Sequence, residues 1–312
     1  MHGVGMIQVE SLSRYYGTTC AVRDVSFRIE SNTVVGFLGC NGAGKSTTLK
    51  VLVGLLSPSK GTVRIGDVDL STAPVSFRSQ VGFLPEVPPL HLEMRVAEFL
   101  AFIGRLRGMD EDILKERIPE VIQRCRLIEY RDRVIGELSH GYRKRVGIAQ
   151  AILHKPSLVI LDEPFGGLDP VQGREIVDVV RDLKAESTVL VSSHFVSWMS
   201  QLCDRILVIR DGELPSDCDV EMEPMRARTV FSLVGEEAAI RGFFEARPGV
   251  SGFELLYHTA ETIDVTVKLD GTQAEDVVAG LIGAGIGVRR VGPAEWALEK
   301  QLIDRMSTGA QS

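Results

Sequence analysis

A chain of 312 residues with 44% apolar and 25% charged side chains has material for two domains and a large buried core. Its net charge of −7 argues against a general nucleic-acid coat, which needs basic surface, and no nucleic-acid partner is expected. No apolar run reaches the roughly 18–20 residues that span a bilayer, and residues 1–10 lack the positive cluster and apolar core of a secretion signal, so a cytoplasmic location is expected.

Taken in chain order, residues 6–10, 25–30 and 62–65 read as strands of an antiparallel β subdomain, and the apolar run 33–38 as a buried strand. Residues 45–56 read as a helix stopped by Ser57-Pro58. A helical region follows over 87–129, with Val96, Phe99, Leu100, Ile103 and Leu106 on one face. A helix over 141–153, a strand over 157–161 and another over 188–192 complete an alternation that argues for a mostly parallel sheet covered on both faces. Residues 1–214 are read as one domain and 215–227, which hold two prolines and several acids, as a linker. Residues 228–312 are read as a small α+β unit, with strands over 229–234, 253–257, 262–269 and 288–291 and helices over 237–245, 273–283 and 294–306. That β-α-β-β-α-β order suggests a ferredoxin-like fold. The five cysteines, Cys20, Cys40, Cys125, Cys203 and Cys218, fit neither a disulfide framework nor a zinc site.

Gly39-Cys40-Asn41-Gly42-Ala43-Gly44-Lys45-Ser46 matches the phosphate-loop pattern G-x-x-x-x-G-K-[ST], and Thr47 continues it into the helix. Glycines let backbone amides curl around phosphates, Lys45 reaches the outer phosphates, and the Ser46 hydroxyl is placed for a magnesium ion. The helix N-terminus itself favours an anion. The expected ligand is therefore Mg-ATP in a P-loop NTPase fold. Ser157 to Leu161 ends in Asp162 and Glu163, two carboxylates that a buried strand does not itself require. Asp162 suits the magnesium shell and Glu163 suits a general base for the attacking water. His194 follows the next strand; on sequence alone it reads as an ordinary loop histidine. Arg143-Lys144-Arg145 reads as a solvated helix face.

Leu138-Ser139-His140-Gly141-Tyr142, 23 residues ahead of Asp162 counted from Ser139, resembles the signature motif of ATP-binding-cassette (ABC) ATPases. The matching elements run over 7–214, roughly two-thirds of the chain. Within that family the chain looks like ATPases of bacterial exporters of the drug-resistance and gliding-motility type. The resemblance implies that Tyr16 stacks on adenine, that Asp169 lies in the loop coupling two sites, and that His194 is a switch histidine beside the γ-phosphate. It also implies that Ser139 and Gly141 cap the nucleotide of a second ATPase subunit, either another copy or a relative, and that a separate transmembrane permease anchors the pair to the inner face of the cell membrane. Three positions depart from the family pattern: His140 replaces Gly, Tyr142 replaces Gln, and Glu86 stands where Gln is usual. Glu86 can still contact magnesium or its water. A soluble ABC ATPase working on the ribosome or DNA is the alternative, although such proteins usually carry two cassettes or a coiled-coil insertion. A degenerate regulator is opposed by the intact Lys45, Asp162, Glu163 and His194.

Overall fold

The computed structural model describes residues 7–215, 219–222, 228–257 and 262–294. The helix expected over 294–306 lies, apart from its first residue, outside the described residues, as does Cys218.

The chain opens with two long antiparallel strands, β1 (Ile7–Tyr16) and β2 (Thr19–Ile29). Alternate residues of β2, among them Val25, Phe27 and Ile29, turn inward as the pleat requires. The apolar run that follows forms β3 (Val34–Leu38), buried at every position. The phosphate loop then opens α1 (Lys45–Leu52). This helix ends short of residue 56 because Gly54, at φ +72°, reverses the chain. The Leu55 amide donates to the Lys50 carbonyl and the Gly54 amide to the Val51 carbonyl, each at 2.9 Å, the paired bonds of a Schellman cap. β4 (Lys60–Ile65) and β5 (Val68–Asp69) complete a four-stranded antiparallel sheet of order β2-β1-β4-β5.

α2 (Pro74–Ser79) leads into β6 (Val81–Leu84), and the helical region follows as α3 (Val96–Leu106) and α4 (Glu111–Arg124). Val96, Phe99 and Leu100 are buried, Ile103 is half-buried and Leu106 is exposed, so the expected apolar face covers only the start of α3. α5 (His140–Ile152) is buried at nine of its residues. Ser139 caps its N-terminus, and Arg117 of α4 caps its other end by donating to the carbonyls of Ile152 (2.9 Å) and Leu153 (3.1 Å).

β7 (Leu158–Asp162), α6 (Pro170–Leu183), β8 (Thr188–Ser193), α7 (Val196–Leu202), β9 (Arg205–Val208) and β10 (Asp219–Glu221) complete a six-stranded sheet of order β10-β9-β3-β8-β7-β6. From β9 to β6 all neighbours are parallel. The strand β10 falls inside the stretch read as linker. Arg205 of β9 holds the Asp219 carboxylate through both oxygens, one bond measuring 2.6 Å, which fixes this segment to the sheet edge.

The chain divides after Val220 into two compact units. The second contains β11 (Arg228–Val234), α8 (Glu237–Ala246), β12 (Val250–Tyr257), β13 (Ile263–Leu269), α9 (Ala274–Gly283) and β14 (Gly287–Pro293). Its sheet runs β12-β13-β11-β14, every pair antiparallel. Phe231, Leu233, Val265 and Val267 of the sheet meet Ile240, Phe244, Val277 and Leu281 of the helices in one core. Among the described residues, no helix is long and apolar enough to cross a membrane.

Candidate active site

Three parallel strands aim the site. β3 delivers the phosphate loop, while its neighbour β8 and the next strand β7 deliver His194 and the acid pair. They surround a cavity of about 310 Å³ lined by Cys40, Asn41, Gly42, Gly44, Lys45, Ser46, Thr47, Glu86, Asp162, Glu163 and His194, with Ala21 and Gly166. Gly39 and Ala43 belong to the loop but do not line this cavity. Tyr16, Ser139 and Gly141 do not line it either.

Lys45 is only 7% exposed, and its ammonium donates to the carbonyls of Gly39 (2.5 Å) and Cys40 (3.1 Å). These bonds curl the loop around the cation that would meet phosphate. Asp162 is buried at the end of β7, where the Ser192 hydroxyl donates to it at 2.5 Å. Burial raises its carboxyl above the usual range, opposed by that hydroxyl; Glu163 and Glu86 raise it further, and Lys45 opposes. Glu163 is buried too, in a left-handed backbone conformation at φ 47°. Such a backbone is costly for a residue other than glycine, and it recurs at functional turns. The Glu163 amide donates to the Ser192 hydroxyl at 3.1 Å and its carboxylate lies 3.0 Å from His194 Nδ1. A proton on Nδ1 would complete this contact as a hydrogen bond to the carboxylate oxygen.

An oxygen set of Ser46, Asp162 and Glu86 around one cavity fits a magnesium ion, which favours oxygen ligands and keeps waters and substrate phosphates in its shell. Among the described residues, no cluster of three or more His, Cys, Asp or Glu could hold a metal without such help.

Tyr16 is 46% exposed and presents one face to the Arg14 guanidinium, 5.1 Å from the ring centre. Ser139 accepts from the Tyr142 amide at 3.5 Å. Gly141 packs so closely on Gln172 that a Cβ there would sit 1.8 Å from its Oε1. Gln172 in turn donates to Asp169, which caps α6 through the amides of Val171 (2.9 Å) and Gln172 (3.0 Å). The signature residues and the Asp169 loop are therefore one assembly. His140, a departure from the family pattern, joins it by donating from Nε2 to the Gly166 carbonyl at 3.1 Å.

The basic run of α5 is not a solvated face. Arg143 donates to the Ile135 and Gly136 carbonyls at 3.2 and 2.6 Å. Arg145 is 2% exposed, pairs with Glu175 and lies 4.7 Å over the Tyr142 ring. Lys144 is 1% exposed and donates to the carbonyls of Glu86 (2.6 Å) and Glu163 (3.0 Å). Burial lowers its ammonium below the ordinary range, against the pull of Glu86, Asp162 and Glu163. Small residues at Gly147, Ala149 and Ala151 mark α5 as a closely packed helix, a signal that its cations would be enclosed.

A phosphate loop opening α1 beside a strand-end acid pair defines a nucleoside-triphosphatase of the P-loop class. The ABC transporter family model matches residues 22–166. An uncharacterised ABC transporter ATP-binding protein of Bacillus subtilis, YxlF, is 39% identical over 248 residues, covering 79% of this chain and 82% of that protein. The Nod factor export ATP-binding protein I of Cupriavidus metallidurans is 30% identical over 303 residues, 87% of this chain and 99% of its own length. The solved structure of an ATP-binding subunit of an ABC transporter superimposes with a TM-score of 0.63 at 30% identity, over 71% of this chain and 92% of the other. The chain belongs to the ABC transporter ATPases, as an ATP-binding and ATP-hydrolysing subunit.

Proposed function

We propose that this ATPase drives export through a separate membrane permease, at the cytoplasmic face of the membrane, as a head-to-tail pair with a second copy or a related subunit. Residues 7–214 handle the nucleotide, and the C-terminal unit is accessory to it. The export assignment is supported by the Nod factor export relative, whose similarity spans both units of this chain. Pairing is supported by Ser139 and Gly141, which sit at a helix N-terminus and do not line the chain's own cavity. A twofold pair would give each cavity the signature residues of its neighbour.

One contact carries the hydrolytic assignment: Glu163 and His194 meet at 3.0 Å on the wall of the phosphate-loop cavity. Glu163 takes the proton of a water as its oxygen attacks the γ-phosphorus, and the bond to the leaving ADP oxygen breaks. His194 holds the Glu163 carboxylate and faces the same space. Lys45 leaves its loop carbonyls to meet the outer phosphates, and Tyr16 offers its exposed face to adenine. Ser46, Asp162 and Glu86 would hold magnesium, which when bound would offset phosphate charge.

Glu163→Gln tests this. ATP binding should persist and turnover should fall by ~10²- to 10⁴-fold, the usual worth of a general base. With ATP, size-exclusion chromatography should show a stable dimer. Turnover at the wild-type rate would remove Glu163 as the base.

A further inference from the structure

Lys144 carries a charge where a packed apolar side chain would be cheaper. An ammonium buried to 1% exposure is costly unless its donors are used. Both acceptors it is given are backbone carbonyls, Glu86 O at 2.6 Å and Glu163 O at 3.0 Å. It does not line the cavity. Three segments meet at this one nitrogen: the signature helix α5, the loop after β6 and the turn after β7.

We propose that Lys144 is a positioning residue for hydrolysis, tying the signature helix to the turn that carries Glu163. The inference rests on Glu163 being the base. Glu163 has a left-handed backbone, and a strained conformation persists only where its surroundings fix it. Its carbonyl receives two bonds, from Lys144 Nζ and from the Gly166 amide at 3.2 Å. One helical turn before Lys144, His140 holds the other end of that turn through the Gly166 carbonyl at 3.1 Å. Residues four apart share a helix face, so one face of α5 grips the turn at both ends. Movement of the signature helix then displaces the base of the same chain, and Glu86 with it. Signature contact with the nucleotide held by one subunit is thereby felt at the base of the other site.

The test uses the full chain with Lys144→Met, which keeps length and apolar bulk but donates nothing, beside Lys144→Gln, which can still donate to a carbonyl. Steady-state ATPase gives kcat and KM, and a fluorescent ATP analogue gives nucleotide affinity. Lys144→Met should lower kcat by about 10- to 100-fold, as expected of a base displaced by a fraction of an ångström to an ångström, with affinity held within about threefold. Lys144→Gln should lose less, about 3- to 10-fold in kcat at the same affinity. A kcat for Lys144→Met within about twofold of wild type, or a fall in affinity that tracks kcat, overturns the inference. If Lys144→Met does not fold, Lys144→Gln decides by the same criteria. Glu163→Gln is run alongside: wild-type turnover there removes the base itself, whereas loss there with normal turnover in the Lys144 variants removes only the positioning role.

Discussion

Alanine at two glycines of the phosphate loop should separate backbone strain from steric conflict. Gly42 and Gly44 both have positive φ, +84° and +100°. Forcing an L residue into such a conformation costs about 1–2 kcal/mol. A Cβ at Gly42 would meet nothing within 4 Å, so strain is its whole cost. A Cβ at Gly44 would lie 2.6 Å from the Ala21 carbonyl oxygen. That oxygen cannot easily retreat, because the backbone around it is interlocked. Arg23 N–H donates to the Gly212 carbonyl at 2.7 Å, and Gly212 N–H to the Ala43 carbonyl at 3.0 Å. Overpacking of this kind adds about 1–3 kcal/mol. Gly44→Ala should therefore destabilise by about 2–5 kcal/mol and Gly42→Ala by about 1–2 kcal/mol. At about 2–4 °C per kcal/mol for a unit of this size, the Gly44 variant should melt about 2–12 °C below the Gly42 variant. Thermal unfolding without nucleotide measures the difference directly. Equal melting temperatures would refute the steric account of Gly44.

Two further outcomes concern groups outside the cavity. Glu175→Ala should cost about 3 kcal/mol, because it strands the Arg145 guanidinium at 2% exposure, and adding Arg145→Met should recover part of the loss; denaturant unfolding checks both, and a Glu175→Ala midpoint equal to wild type would refute the pairing. His154 is pushed down to about 4 by burial and by the neighbouring Arg107, so the fold holds a neutral ring while the unfolded chain takes up a proton below its ordinary 6.5. Its contribution is therefore complete above 6.5 and is lost as pH falls from there toward 4. The melting-temperature gap between wild type and His154→Gln should narrow over that window, and a constant gap would contradict it.

How much of the site is legible in the sequence depends on whether its chemistry is local. The phosphate loop is contiguous because one turn must wrap one anion, so its spacing survives in the sequence. The acid pair is legible because charge at the tip of a buried strand is out of place. His194 is different: its 3.0 Å contact with Glu163 spans two strands, and only the family resemblance singled it out. Helix ends show a similar divide. Gly54 ends α1 through its backbone conformation, ahead of the more conspicuous Pro58. Asp219 belongs to a strand because Arg205, on the neighbouring strand β9, holds it there.

Lys144 marks the limit most clearly. Between two arginines, its charge suggests solvent, and a lysine's flexible stem gives no local sign of where the ammonium goes. The missing information lies in the neighbours along the helix. Gly147, Ala149 and Ala151 keep the buried side of α5 small, so that Leu84 of β6 approaches Gly147 closely, and a cation enclosed by such packing must find acceptors. The acceptors within reach are carbonyls where strands end and loops begin. Those strand ends also carry Glu86 and Glu163. Close packing of the signature helix thus brings its buried charge to the backbone of the candidate catalytic residues, a link that neither motif discloses alone.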